Sequence, residues 1–397
     1  MKKKYSKYIR TFCLLFFLSE GYCLLPEESF HRGIFRVNSN ISSGTDSIKD
    51  IALKAKNKGL EFVVISDQFI VKTEYGIPPF RNILKVSGSR PSVILFGIDK
   101  YLEEIKSVNE EINGLTLISG VDIAPHYYWK TDIKKFIISN HQFSQQMTIL
   151  GPQNADFYKN LPVIHNSLPE RNIYNILIKL SPIILLPVAL IFIINSRKKI
   201  YEDMQGHKFR EKNIFHFVCG IIIIVISILW VLDNKPFTKS PKFDQYNFYW
   251  NKPYQNVIDY VKIFKGEKAG IFWSAPEART QNLIRGIPLI TNPYLDSVVF
   301  TNDHNGFAGI YADNFRAHLP EHEWDIMLLE YCSGKRTIPP VVIGELDYHG
   351  EHDREIDMIQ TVVFCDLDRN ENKYNNILNA LLSGKSYAMK KGMKNYI

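Results

Sequence analysis

SSGTDSIKDIALKAKNKGLEFVVISDQF, residues 42–69, joins a helix pattern to a strand pattern. Ser47 is a helix-capping residue type, the apolar residues after it recur at helical spacing, and Gly59 suits the end of that helix. The β-branched run LEFVVISD predicts a buried parallel strand with Asp67 at its carboxyl end. Ligands and catalytic groups gather at this end of strands in α/β folds, so Asp67 is a candidate site residue.

The same order of helix and strand recurs further along the chain. A helical pattern over residues 98–113 leads into the strand-like run LTLISGVD, which ends at Asp122. A second helical pattern over 255–264 precedes the strand AGIFW, and PVVIGELD predicts a strand that ends at Asp347. The run NILNALLSGKSYAM, residues 376–389, predicts a terminal helix. Alternation of this kind indicates an α/β fold.

Two windows are almost entirely apolar. Residues 174–195 contain LSPIILLPVALIFII with one charged residue, Lys179, and residues 213–233 contain 19 residues without a formal charge. At about 1.5 Å per helical residue, each window spans a bilayer core. We predict a hairpin of two transmembrane helices, with the lipid bilayer as a partner. The alternative is a pair of buried helices in a soluble protein.

Charged residues next to these windows predict the orientation of the hairpin. The loop at 196–212 is rich in Lys and Arg, which places it in the cytoplasm. Residues 1–25 combine a basic start with a short apolar stretch, the layout of a signal peptide or signal anchor. Both features place residues 28–170 and 245–397 outside the cytoplasm, so we predict a multi-pass protein of the cytoplasmic (inner) membrane. The net charge of +7 comes largely from these signals, and no nucleic-acid partner is inferred.

Five cysteines are present, and none has the C-x-x-C spacing of a metal site. Only Cys332 and Cys365 are candidates for a disulfide in the predicted exported regions, and their pairing stays open. An aromatic run, YNFYWNKPY at residues 246–254, follows the second window closely. This position favours an interfacial aromatic belt.

Four motifs resemble the polymerase and histidinol phosphatase (PHP) domain family. RVNSNISSGTDS through VVISDQF keeps the frame of a segment that in this family starts with His-x-His and ends with Asp-His. LISGVDIAPHYYW stands at a strand ending in a metal-binding Glu, IFWSAPEA stands at a His-Pro, and GELDYHG matches a closing Asp-x-His. The resemblance is scattered over residues 34–165 and 254–391. It implies one irregular (β/α)7 barrel, interrupted by the transmembrane hairpin, of the kind that forms metal-dependent phosphoesterases.

The resemblance also implies a metal site. In such a site, divalent ions about 3.5 to 4 Å apart polarise a phosphoester and activate water. Any cofactor here is unknown in identity; Zn, Mn and Mg are the divalent metals that the resemblance implies. The implied metal ligands are Asp67, Asp122, His141, Asp347 and His349. His165 is the alternative to His141 for the histidine from the middle of the chain.

Several positions depart from the family pattern. The His-x-His has become Arg36-Val37-Asn38, and the His after Asp67 has become Gln68. Asp122 stands in place of Glu, and Ala275 in place of the His before Pro. Amides are poor ligands for the transition-type ions that histidine binds, and Arg36 is a permanent cation. A catalytic multi-metal site is therefore not expected.

Three interpretations follow. The first, which we favour, is a non-catalytic ligand-binding or interaction domain, with Arg36, Asn38 and Gln68 as candidates to hold an anionic or phosphorylated ligand. The second is a phosphoesterase with a reduced metal site that hydrolyses exported phosphorylated substrates. In the third, the acidic residues and His349 are remnants, satisfied by hydrogen bonds to Arg36 and to the backbone.

Overall fold

The computed structural model describes residues 29–392, apart from residues 133, 136, 198, 203–204, 207, 212, 265, 285, 312–315 and 367–371. The predicted signal at residues 1–25 lies outside the described residues, and so does part of the loop at 196–212.

Strands and helices alternate through most of the described chain. The strands are β1 Ser29–Val37, β2 Phe62–Gln68, β3 Lys72–Gly76, β4 Lys85–Ser89, β5 Thr116–Ile123, β6 Tyr128–Asp132, β7 Ile137–His141, β8 Met147–Leu150, β9 Lys199–Glu202, β10 Lys208–Glu211, β11 Gly270–Trp273, β12 Thr280–Ile284, β13 Ile287–Thr291, β14 Gly306–Ile310, β15 Val341–Gly344, β16 Ile359–Cys365 and β17 Ser386–Lys390. The helices are α1 Ile48–Asn57, α2 Val93–Phe96, α3 Ile98–Glu111, α4 Ala155–Lys159, α5 Ile173–Leu180, α6 Leu185–Asn195, α7 Ile214–Asn234, α8 Lys252–Ile263, α9 Leu295–Phe300, α10 Glu323–Cys332 and α11 Lys373–Ser383, with a 3-10 helix at Ser181–Ile184.

A nine-stranded mixed sheet forms the centre of the fold, in the order β15-β14-β11-β8-β5-β2-β1-β16-β17. Strands β1, β2 and β5 are parallel, and so are β11, β14 and β15. Strand β8 lies antiparallel between these two groups, and it joins sequence from before the hairpin to β11 from after it. A four-stranded sheet of order β12-β13-β7-β6 also combines the two parts of the chain. The hairpin is thus an insertion within one sheet.

The two ends of the nine-stranded sheet approach each other, which makes it a nearly closed, barrel-like sheet. The Thr361 hydroxyl on β16 donates to the Gly344 carbonyl at 2.9 Å, and the Gly344 N–H donates to that hydroxyl at 3.0 Å. Beyond β15, Tyr348 N–H donates to the carbonyl of Arg36 at 3.1 Å, and Asn38 N–H donates to the carbonyl of Tyr348 at 2.9 Å. The end of β1 and the segment after β15 therefore run side by side.

The helix predicted at residue 48 is confirmed. Ser47 Oγ accepts from the N–H of Asp50 at 3.1 Å, as expected of a capping residue. Residues Ile48, Ile51, Ala52 and Ala55 are its buried face, and they pack on the sheet.

Of the nine strands in the central sheet, β2, β5, β11 and β15 were predicted and the other five were not. Among those five, β17 belongs to the run predicted as the terminal helix. That helix ends at Ser383, because Gly384 takes the left-handed conformation with φ of 76° and the chain turns back to pair with β16. The fold therefore belongs to the mixed α/β class, and it is less regular than the alternation in the sequence indicates.

The hairpin consists of Ile173–Asn195, which is broken by the 3-10 helix that contains Pro182, and Ile214–Asn234. Both are long and apolar enough to cross a membrane, and only 11% of each apolar window is buried. Three small residues, Ala189, Gly220 and Ser227, are buried between them. A side chain at Gly220 would meet the Ala189 carbonyl oxygen at 3.0 Å, so the two helices pack closely at this point.

Gly306 provides a test of the sheet. A Cβ atom at this residue of β14 would overlap the backbone of Val341 on β15, whereas a Cβ at Gly88 on β4 finds its nearest atom at 3.8 Å. We expect Gly306→Ala to lower the free energy of unfolding by about 1–3 kcal/mol, as overpacking does, and Gly88→Ala to change it by less than about 0.5 kcal/mol. Thermal unfolding of the full chain in detergent measures both, and equal stability of the two variants would contradict the strand pairing.

Candidate functional site

The side chain of Arg36 lies among the carboxylates that end several strands. Its Nε atom donates to Asp122 Oδ2 at 2.5 Å, and one terminal nitrogen donates to Glu345 Oε1 and lies 3.3 Å from Asp347 Oδ1. The other terminal nitrogen donates to Gln146 Oε1. Arg36 is only 6% exposed. The guanidinium therefore has a partner on each of its nitrogen atoms.

The carboxylates around Arg36 carry unequal charge. Burial raises the pKa of Glu345 to about 7 and also raises the pKa of Asp122, although Arg36 opposes both shifts. Burial acts in the same direction on Asp347, but Arg36 and His349 outweigh it and hold the pKa of that carboxyl well below its usual value. Near neutral pH, Glu345 is therefore partly protonated. Its protonation reduces the excess of negative charge around the single guanidinium, as burial of these groups favours.

His349 extends the cluster toward solvent. Its Nε2 lies 3.3 Å from Asp347 Oδ1, and its Nδ1 lies 3.0 Å from Ser43 Oγ. Burial lowers the pKa of His349, but the hydrogen bond and charge of Asp347 outweigh burial and raise it overall. When protonated, the imidazole adds positive charge beside Asp347.

Asp67 has a different set of partners. One carboxylate oxygen accepts from Ser39 N–H at 2.8 Å and from the Ser42 hydroxyl, and the other accepts from the Ser39 hydroxyl at 2.7 Å. Burial raises the pKa of Asp67 to about 6 against these hydrogen bonds. Asp67 thus connects the loop after β1 to the end of β2, and its carboxylate accepts hydrogen bonds from these serines and not from Arg36.

The backbone is strained around the cluster. Eight non-glycine residues among those described have positive φ, and three of them are Arg36 at 61°, Asp347 at 52° and Ala275 at 38°. The N–H of Ala275 donates to Glu345 Oε2 at 3.2 Å. Such backbone persists only where the surrounding structure imposes it, and it concentrates at functional sites.

Gln68 and Asn38 lie beside the cluster in different surroundings. Gln68 lines a cavity of about 180 Å³ together with Asp122, Gln146 and the exposed Arg90. Asn38 is buried, and its side-chain nitrogen has no hydrogen-bond partner among the described residues. Asp122 and Gln146, which both accept hydrogen bonds from Arg36, line this cavity, whereas Arg36 itself does not.

The two candidate histidines from the middle of the chain contact other residues than those of the cluster. His141, on β7, stacks on Tyr128 at 5.1 Å between ring centroids and lies 2.9 Å from Ser139 Oγ. His165 lies 2.7 Å from the Tyr127 hydroxyl and 3.9 Å from Glu74. Neither has a contact with Arg36 or with the acidic residues around it.

The site does not fit a divalent metal in this arrangement. No group of three His, Cys, Asp or Glu side chains within the described part of the chain is placed to hold an ion. The guanidinium of Arg36 takes the central position between Asp122, Glu345 and Asp347, and it repels a second cation there.

Glu345, Gln146 and Ser39 were not predicted as site residues from the sequence. Glu345 lies two residues before Asp347 in GELDYHG, the spacing that puts two residues on one face of an extended segment. That spacing was a usable signal. Gln146 has no such signal, because only the position of β8 in the sheet brings it to Arg36.

No family model matches the chain, and no curated protein matches its sequence. The solved structures that are similar to it include two bacterial proteins. One is a two-domain protein from Bacteroides vulgatus ATCC 8482 that contains a predicted PHP-like metal-dependent phosphoesterase; it has a TM-score of 0.37 and 12% identity, over 92% of this chain and 66% of that one. The other is a candidate metal-dependent phosphoesterase from Bifidobacterium adolescentis ATCC 15703, with a TM-score of 0.34 and 13% identity, over 90% and 98%. Both are distant, so the chemistry of the site rests on its own residues.

The raised pKa of Glu345 predicts a pH dependence of stability. Because the folded pKa is about 7 and the ordinary value is 4.5, the folded state binds the extra proton between these values and loses stability as pH rises through 7. We expect Glu345→Gln to remove on the order of 3 kcal/mol of this loss, at about 1.4 kcal/mol per pH unit. The smaller loss near pH 6 from Asp67 stays in the variant.

Thermal unfolding of the full chain between pH 5 and 8 measures this dependence. Glu103→Gln, on the exposed surface of α3, is the matched control and keeps the wild-type curve. An unchanged slope in Glu345→Gln would show that Glu345 is ionised throughout.

Proposed function

We propose that this chain is a membrane-anchored, PHP-like domain that binds a ligand or partner outside the cytoplasm and does not hydrolyse phosphoesters. The position of the Arg36 guanidinium between three carboxylates carries the proposal. In the resembled family these strand ends hold metal, whereas here a permanent cation supplies the positive charge. An arginine polarises no water and offers no coordination position, so a hydrolytic step through this centre has no activated nucleophile.

The ligand in this proposal occupies the cavity of about 180 Å³, and not Arg36 itself. Arg36 is already neutralised by its carboxylates, which leaves it no free charge for an anion. Gln68 and Gln146 supply amide groups at the cavity wall, and Arg90 supplies a cation without an ion pair to any described residue. These groups suit a small polar ligand.

The membrane anchor in this proposal is the hairpin. Both helices expose most of their apolar surface, which water disfavours and lipid accepts. Close contacts through small residues are common between membrane helices. Of the aromatic run after the second helix, Phe248 and Trp250 are exposed, at 56% and 51%, while Tyr254 is buried in the domain. The exposed pair suits an interfacial position.

A phosphoesterase with a reduced metal site is the second candidate. It is favoured by the convergence of Asp122, Glu345, Asp347 and His349, which form a ligand set if the Arg36 side chain moves out. This candidate requires Arg36 to leave at least two ion pairs. It is separated from the first by the metal content of the protein.

We expect the full chain, purified without chelator, to hold no stoichiometric Mn²⁺ or Zn²⁺ and to leave nitrophenyl phosphomonoesters and phosphodiesters unhydrolysed. Elemental analysis and an assay with each metal added measure this. The double variant Arg36→His with Asn38→His is expected to gain metal binding, because it removes the cation and adds two nitrogen ligands.

Arg36→Lys is the matched control for that variant, since it keeps the charge and loses the fork of donors. It is expected to stay metal-free. Tightly bound metal in the wild-type protein, with turnover that disappears in Asp347→Ala, would establish the second candidate in place of the first.

The proposed topology is testable separately. Reporter fusions at Gly206, between the two spans, and after the last residue are expected to indicate opposite sides of the membrane, because the basic loop stays in the cytoplasm. An alkaline phosphatase fusion is active only at the second position, and a fluorescent protein that folds in the cytoplasm is active only at the first. Signals from the same side at both positions would reject the hairpin topology.

A further inference from the structure

A large cavity lies where the hairpin meets the domain. Its volume is about 870 Å³, and its wall includes Ile178 and Lys179 from the first span and Asn234 from the end of the second. The junction is held by hydrogen bonds: Asp233 Oδ1 accepts from Asn82 N–H at 2.7 Å, and Asn234 Nδ2 donates to the Lys179 carbonyl at 2.9 Å. The cavity is thus placed at the level where both spans end.

Basic side chains dominate the charged groups of this wall. Two glutamates face five lysines, which are Lys72, Lys179, Lys235, Lys239 and Lys242. Glu74 pairs with Lys72 at 2.8 Å, and Glu170 lies 3.9 Å from Lys179. Among the described residues, no acidic side chain pairs with the other three lysines. The cavity therefore has an excess of positive charge that the protein itself does not neutralise.

Cations are also crowded behind the wall. Lys85 pairs with Glu74 at 2.7 Å, so this one buried carboxylate serves two lysines. Burial, and after it the nearby Lys85 and Lys72, lower the pKa of Lys235. A bound anion would reduce the repulsion between these lysines, so its binding is favoured by their charge.

We propose that this cavity binds the phosphate headgroup of an anionic membrane lipid. The proposal rests on the membrane placement of the hairpin in the proposed function. A lipid phosphate lies at the end of a transmembrane helix, which is the level of Lys179 and Lys235, and each lysine near it contributes attraction. The acyl chains then run along the spans, past Ile178 at 52% exposed and Leu177 at 61%. A soluble phosphate would use the lysines and leave this apolar surface uncovered.

The test measures thermal unfolding of the full chain in a neutral detergent against three ligands. Dioctanoyl phosphatidylglycerol carries the net negative headgroup, dioctanoyl phosphatidylcholine is its zwitterionic counterpart, and glycerol 3-phosphate is the soluble anion. We expect the midpoint to rise with the first in a saturable manner. We expect little rise with the other two.

Three variants make the test specific. Lys235→Gln, Lys239→Gln and Lys242→Gln together are expected to weaken the apparent affinity for phosphatidylglycerol at least about tenfold. The same three positions changed to Arg keep the charge and are expected to keep binding, which separates charge loss from misfolding. Lys130→Gln with Lys134→Gln and Lys135→Gln, three lysines outside the cavity wall, is the control and is expected to behave as wild type.

Equal stabilisation by glycerol 3-phosphate would overturn the lipid assignment in favour of a soluble phosphate. Equal stabilisation of the Gln variant and the wild type, or no stabilisation by phosphatidylglycerol, would overturn the site. Extraction of membranes with alkaline carbonate keeps the two proposals apart. A chain that stays in the membrane without lipid-specific stabilisation refutes only the lipid site, whereas a released chain refutes the membrane anchor.

Discussion

The arrangement of Arg36 with Asp122, Glu345 and Asp347 is the constraint on which the centre of this fold depends. These residues come from the ends of β1 and β5 and from the segment after β15, so the ion pairs join one edge of the nearly closed sheet to two of its interior strands. Buried charges are tolerated only when they are paired and hydrogen-bonded. Removing Arg36 would leave buried carboxylates without their cation, which ties the closure of the sheet to the chemistry of the site.

The positive charge of this centre is built into the chain. A metal centre has a charge that depends on the ion supplied, and it leaves coordination positions for water and substrate. The guanidinium of Arg36 has a fixed charge, and it donates its hydrogen bonds to neighbouring side chains. The backbone is strained at Arg36, Ala275 and Asp347, and a cavity of about 180 Å³ lies beside the cluster. In the proposed function, this fixed charge and the neighbouring cavity favour ligand binding over turnover.

The hairpin brings a second charged region into the same architecture. Because β8 and β11 are neighbours, the chain enters and leaves the hairpin from one body, and both ends of the hairpin must return to it. Asp233 and Asn82 hold the junction, and the lysine-rich cavity forms beside it. The smaller cavity lies within the domain beside the carboxylates, whereas the larger, lysine-rich cavity lies at the level of the predicted membrane surface. In the proposed function, the insertion sets the distance between the ligand cavity and the lipid.

Local signals in the sequence were enough for the elements that depend on local physics. The helix at Ile48–Asn57, the strand that delivers Asp67 and the two apolar spans follow from capping, periodicity and hydropathy within a short window. The approach of Arg36 to Asp122 and Asp347 was only implied by a family resemblance. That it fills the centre with its own charge, with Glu345 and Gln146 as partners, was decided by the tertiary structure. Those partners are 309 and 110 residues away in the chain, and only the closure of the sheet and the position of β8 bring them within reach of one guanidinium.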